Sequence, residues 1–219
     1  MFIGHFGLGF AAKRAAPQVS LGTLIVACQL ADLAWPTFVL LGLESFEIRP
    51  GVTKLTPLDF THYPWSHSLV MLIAWGVALA ILHRLLRPAT RTPALVVLAL
   101  LVVSHWILDA VVHRPDMPLT VQGPERFGLG LWNSLPATLA LELPLFIAGV
   151  AIYARATVAR DRAGTWAWWG LVAFLLVIYF MNLFGPPPPS VQAVAWLAES
   201  AWLLVLWGWW IDRHRTSRT

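Results

Sequence analysis

Asp32, Asp109, Glu142 and Glu199 each fall inside a long apolar run, and no Lys or Arg lies within those runs to pair with them. An ionised acid at the centre of a membrane helix costs about 3 kcal/mol on the insertion scale. Four of them in a small protein must therefore be protonated, paired, hydrated or bound to a cation. The partners on offer are histidines. His105 shares its run with Asp109, His113 closes the same run, and His67 opens the run before it. His105, Asp109 and His113 are spaced i, i+4, i+8, which in a helix displaces successive side chains by only about 40° and puts all three on one face. Neutral imidazole nitrogen and carboxylate oxygen, with no thiolate, suit Zn²⁺, and also Mn²⁺ or Fe²⁺.

A second cluster, Asp59-Phe-Thr-His62-Tyr-Pro-Trp-Ser-His67-Ser68, immediately precedes an apolar run. Pro64 bars the residue before it from regular helix, and Ser66 is placed to cap the helix start, which would hold His67 in a fixed first turn. His62 adds an imidazole to this group, and His5 lies in the apolar N-terminal segment. Asp59 and Glu142 are the carboxylates available as a general base or as orienters of a metal ligand. Singly, any of the intramembrane acids also suits a protonated hydrogen bond between helices; their clustering with histidine is what points to a cation.

The elements that must position these groups are membrane helices. The chain has 219 residues, 58% of them hydrophobic, and 12% charged, about half the charge of an ordinary soluble domain. A water-soluble globule is excluded as the default. Mean hydropathy is +0.68. The single cysteine, Cys28, rules out an intramolecular disulfide and a cysteine-based zinc site. Runs of about 20 apolar residues suffice to cross a bilayer, and six are expected, at 19–43, 67–87, 93–113, 131–154, 165–184 and 191–211. The last two are separated by Gly185-Pro186-Pro187-Pro188-Pro189, which cannot continue a helix. Residues 1–15 form a short N-terminal helix ahead of them, re-entrant or interfacial, because apolar sequence followed by Lys13-Arg14 is the reverse of a cleavable signal. The fold class is thus an all-α polytopic membrane protein in a single domain.

Basic residues orient it. Lys13, Arg14, Arg84, Arg87, Arg91, Arg155, Arg160, Arg162, Arg213, Arg215 and Arg218 all fall at one end of these spans, and only Arg49, Lys54, Arg114 and Arg126 at the other. Positive charge is retained on the cytoplasmic side, so both termini are expected there. The net charge of +4 then reports orientation rather than a nucleic-acid partner, which would need a basic face on polar surface. Counted from that end at roughly 1.5 Å per residue, Asp32 and His105 lie about 18–20 Å deep, Glu142 and Glu199 about 20 Å, Asp109 about 24 Å and His67 about 25–30 Å. Five helices converge on one layer.

An Asp in the first span, His-x4-His-Ser before the second, His-x3-Asp in the third and an early His in a short N-terminal helix resemble the YdjM-like bacterial inner-membrane proteins identified as metal-dependent hydrolases. The order Asp, His, His-x3-Asp, Glu is also similar to the ligand order of zinc-dependent phospholipases C and single-strand nucleases. This resemblance spans roughly residues 1–145. It implies that Asp32, His67, His105 and Asp109 surround one metal, that His5 shares Asp109 for a second, and that Glu142 with His113 are candidates near a third. Thr138 stands where the phospholipases carry a further His, so one or two ions are expected. The implied activity is hydrolysis of a phosphoester or ester of a lipid-like substrate in the bacterial inner membrane. The alternative from the residues alone is a proton- or ion-coupled transporter using the same acids and histidines.

Overall fold

The structure, a computed structural model, describes residues 1–218. Among the described residues, six helical segments are long and apolar enough to cross a membrane: Leu21–Leu40, Leu69–Leu86, Thr92–Val112, Leu135–Ala156, Arg162–Phe184 and Val191–His214. The chain is an all-α polytopic membrane protein, with three two-stranded ribbons at the helix ends.

Helix α1 (Ile3–Ala15) is the unusual element. It lies inside the bundle rather than on its surface, against α2 (Leu21–Leu40), α5 (Thr92–Val112), α6 (Leu135–Ala156) and α7 (Arg162–Phe184). Glycines make this possible. Gly7 of α1 and Gly149 of α6 face each other across a crossing where a Cβ on either would run into the partner's backbone, the small-residue contact by which membrane helices approach closely. Phe10 then fills the space between Phe146, Tyr153 and Trp168, with ring centroids 5.9, 6.2 and 4.9 Å away. Lys13 ends the buried stretch; its ammonium donates to the Val19 carbonyl at 2.8 Å and pairs with Asp212 at 3.2 Å.

Helix α2 starts at Ser20, whose hydroxyl accepts from the Thr23 amide, and stops three residues short of the expected end. Gly42 takes φ +72°, the Gly42 amide donates to the Val39 carbonyl and the Leu43 amide to the Phe38 carbonyl. This left-handed glycine closure satisfies the last helical carbonyls and turns the chain into a hairpin, β1 (Ser45–Ile48) against β2 (Leu58–His62). The hydropathy pattern did not separate this ribbon from loop.

The second expected span begins as a separate turn, α3 (Pro64–His67), and then α4 (Leu69–Leu86). Ser68, not Ser66, caps α4 by accepting from the Met71 amide at 3.3 Å. Helix α5 follows, then ribbon β3 (Met117–Pro118) with β4 (Arg126–Phe127), a 3₁₀ turn at Leu131–Asn133, α6 and α7. The final span is broken into α8 (Val191–Glu199) and α9 (Trp202–His214), with Ser200 and Ala201 between them. Strands β5 (Thr157–Ala159) and β6 (Arg215–Ser217) pair to tie the chain after α9 to the end of α6.

Candidate metal centre

Four elements supply the cluster. Asp32 lies midway along α2, His67 is the last residue of α3, His105 and Asp109 sit one turn apart on α5, and His5 reaches in from α1. Asp32 Oδ1 lies 3.4 Å from His67 Nε2 and 3.7 Å from His105 Nε2; Asp109 Oδ2 lies 3.2 Å from His105 Nε2 and 3.9 Å from His67 Nε2. Zinc held tetrahedrally at 2.0–2.1 Å from nitrogen and oxygen leaves its ligands about 3.4 Å apart. These four separations scatter about that value.

Protonation points the same way. The Nδ1 of His105 lies 2.9 Å from the Cys28 carbonyl oxygen, which can only accept, so Nδ1 carries the hydrogen. In the neutral ring Nε2 is then a bare lone pair, facing two carboxylates that are also acceptors. It is buried and, among the described residues, has no hydrogen-bond partner. A backbone carbonyl on Nδ1 with Nε2 exposed to acid oxygens is the usual preparation of a ligating histidine. His67, His105 and Asp109 are almost fully buried, whereas the Asp32 side chain keeps 37% exposure, leaving the centre open on one side.

The other oxygen of Asp109 faces α1. Oδ1 receives His5 Nε2 at 3.0 Å and contacts the amino group of Met1. The His5 ring stacks parallel on that of His105 with centroids 3.7 Å apart. Two groups of donors could thus hold a metal ion, His5 with His105 and Asp109, and Asp32 with His67 and His105. His105 is common to both, and its single free nitrogen can serve one ion. Glu142 accepts from the amides of Phe2, at 2.9 Å, and Gly4, at 3.4 Å. It holds the first turn of α1, where helical amides have no intrahelical partner, and through that turn it borders the centre.

The remaining sequence candidates are not brought into these groups. His62 is exposed at the end of β2, as is Thr61 before it. His113 is buried, but its Nδ1 is 3.0 Å from Asp116 and its ring packs on Trp132 at 4.2 Å; the helix ends at Val112, and the extended backbone at His113 takes it off the shared face. Asp59 is buried in an ion-pair network, bound to Arg114 and, at 2.8 Å, to Arg49. Glu199, beside the break between α8 and α9, accepts from the Thr37 hydroxyl at 2.5 Å.

Asp116 anchors this network. Burial opposes its ionisation, yet the His113 ring, the Tyr63 hydroxyl and the Arg114 guanidinium outweigh that and hold its carboxyl below the usual carboxylate range. A depressed folded value stabilises the fold at every pH above the unfolded value of about 3.9, and that stabilisation disappears as pH falls through the folded value. Asp116→Asn is accordingly expected to lower the melting temperature at pH 7, with the gap to wild type closing below about pH 4. A pH-independent gap would contradict it.

Sequence reasoning missed Glu44, which is 3% exposed and accepts from both the amide and the hydroxyl of Ser66. As one acid among several in a segment outside the spans it carried no signal; its neighbour in space is 22 residues away. Comparison with protein-family models, with curated proteins and with solved structures gives no match to this chain.

Proposed function

We propose that the protein is a membrane-embedded metal-dependent hydrolase that binds a divalent cation between Asp32, His67, His105 and Asp109 and cleaves a phosphoester or ester of a lipid-like substrate. The observation that carries the metal is the His105 ring: its Nδ1 hydrogen is committed to a carbonyl, and its bare Nε2 faces two carboxylates. Such an arrangement of acceptors is stable when a cation lies among them. Zinc fits the donor set best, with manganese or iron as the other candidates, and one or two ions fit the donors, the second sharing Asp109 with His5.

The reaction class rests on the resemblance described above together with the donor chemistry. A divalent ion held by Asp32, His67, His105 and Asp109 would supply Lewis acidity to lower the pKa of a water and to polarise the scissile oxygen. Asp32, the one donor with an open flank, borders the space where substrate enters, midway along a membrane helix. That depth suits a lipid-like substrate arriving from the bilayer. Asp59 is occupied by two arginines, so Glu142 is the better placed carboxylate to take up a proton. The excess of arginine and lysine at the Lys13 end supports cytoplasmic termini, and the resemblance supports the bacterial inner membrane.

A second reading, an ion- or proton-coupled transporter, is favoured by one feature: the last span is discontinuous, with the acid Glu199 at its break, as in transporters that bind ions between half-helices. Detergent-purified protein separates the two. About one or two tightly held zinc, manganese or iron ions per chain, with hydrolysis of phosphoester or ester reporters abolished by chelation and restored by metal, is the expected result. Metal-free protein of intact fold overturns the metal centre. Ion flux into liposomes without hydrolysis overturns the enzyme in favour of the transporter.

A further inference from the structure

The centre has a support that the sequence does not announce. Ser66 Oγ lies 2.6 Å from Glu44 Oε2 and 2.7 Å from His67 Nδ1, and the Ser66 amide lies 2.8 Å from Glu44 Oε1. All three side chains are buried, with Ser66 fully so. A carboxylate accepts and does not donate. The one hydroxyl hydrogen of Ser66 is therefore committed to Glu44, and its oxygen is left to accept. The group on its other side, His67 Nδ1, must be the donor. This fixes the hydrogen of the His67 ring on Nδ1 and leaves Nε2 bare, turned toward Asp32 at 3.4 Å.

We propose that Glu44 is a positioning residue which, acting through the Ser66 hydroxyl, locks His67 in the tautomer that ligates the metal. The inference rests on the metal-centre reading given above for its purpose, but not for its hydrogen-bond logic. The direction of the relay follows from the carboxylate at its end. Were Glu44 a group able to donate, Ser66 could reverse, give its hydrogen to His67 Nδ1 and place the ring hydrogen on Nε2, where it would block the ion.

The chain geometry explains how Glu44 comes to be there. The closure of α2 at Gly42 returns the backbone so that the amides of Leu43 and Glu44 both donate to the Phe38 carbonyl, at 2.9 and 3.2 Å. Glu44 is thus held by the last turn of α2, the helix that carries Asp32. One helix supplies a donor directly and, through its terminal loop, sets the orientation of a second donor on α3. His105 receives the same treatment from α2 by a different route, through the Cys28 carbonyl. Both imidazoles of the four-donor group therefore have their hydrogens assigned by α2 or the turn that ends it. Partners of this kind typically change metal affinity 10–100-fold when removed.

Two measurements on the full-length chain in detergent test the proposal. In metal-free protein carrying ¹⁵N-labelled histidine, with His67 assigned by its loss in His67→Gln, wild type should show the Nδ1-protonated neutral ring. Ser66→Ala should lose that preference, and Ser66→Thr, which keeps the hydroxyl, should restore it. With Zn²⁺ and a competing chelator, Glu44→Gln and Ser66→Ala should bind zinc roughly 10–100-fold more weakly, while the Ser66→Thr variant stays near wild type. The melting temperature of each metal-free variant reports on the fold. An Nε2-protonated His67 in wild type overturns the proposal whatever zinc does, and so does zinc affinity unchanged in both Glu44→Gln and Ser66→Ala. Absence of zinc binding in wild type with the expected tautomer instead overturns the metal reading and leaves the relay standing as a fixed hydrogen-bond direction.

Discussion

Asp109→Asn is expected to abolish tight metal binding while preserving the fold, and Asp109→Ala to lose both the metal and part of the stability. The two differ because Asp109 faces two ways. Its Oδ2 lies toward His105 and His67, and its Oδ1 receives His5 and the Met1 amino group. Asparagine keeps an oxygen for His5 but removes the charge that a divalent ion needs. Alanine removes both, leaving a buried imidazole and an amino group without their acceptor, at a cost of about 1–3 kcal/mol for each orphaned group. Elemental analysis of wild type and variants, with melting measured in zinc and in chelator, resolves the two contributions. At free zinc about 100 times its dissociation constant, binding stabilises wild type by roughly 2.7 kcal/mol. The asparagine variant should lose that increment and differ little from wild type in chelator. Zinc-dependent melting that persists in Asp109→Asn would remove Asp109 from the centre and leave Asp32, His67 and His105 as the group that holds the ion.

Much of this is legible in the sequence, and the reasons differ by residue. The spans follow from solvation alone, since backbone polar groups in hydrocarbon must bond internally. His105 and Asp109 follow from periodicity, because a four-residue spacing on a helix needs no tertiary information. Asp32 comes from the cost of an acid at its position, and His67 from its place in the histidine cluster that opens the next span. What could not be read depended on how the chain turns outside the spans. Glu44 reaches Ser66 because a glycine at φ +72° ends α2, and His113 leaves the face of His105 and Asp109 because the helix ends one residue earlier. Asp59 looked like a free carboxylate near the centre; Arg49 and Arg114, distant in sequence, neutralise it. The resemblance brings His5 to the centre, but its stacking on His105 requires α1 to enter the bundle, and amphipathic pattern gives no hint of it: the helix has polar groups almost nowhere except its last turn.

That entry depends on the crossing of Gly7 with Gly149, and Gly149→Ala is expected to be strongly disruptive although it adds only one methyl group. A Cβ there would meet the Gly7 carbonyl, carbonyl carbon and Cα, and a Cβ on Gly7 would meet the Leu145 carbonyl oxygen at 2.6 Å and the Phe146 Cα at 3.0 Å. These obstacles are backbone and cannot rotate aside, so the helices must separate. Alanine in place of glycine favours a helix by about 1 kcal/mol, while overpacking costs about 1–3 kcal/mol and more where the clash is with main chain on both sides. The clash wins. Gly170→Ala on α7 is the control, since its Cβ would find only the Trp207 ring at 3.4 Å, and it should leave the melting temperature unchanged or raise it. The metal readout of Gly149→Ala carries further information. Asp32, His67, His105 and Asp109 stand on α2, α3 and α5, and of the candidate donors only His5 rides on α1. Shifting α1 away from α6 should therefore lower stability yet spare an ion held by the first four. If wild type holds two ions, the variant should retain one; if it holds one, the variant should keep it. Loss of all metal would mean that His5 is part of the principal site, and an unchanged melting temperature would mean that α1 is not docked through this crossing.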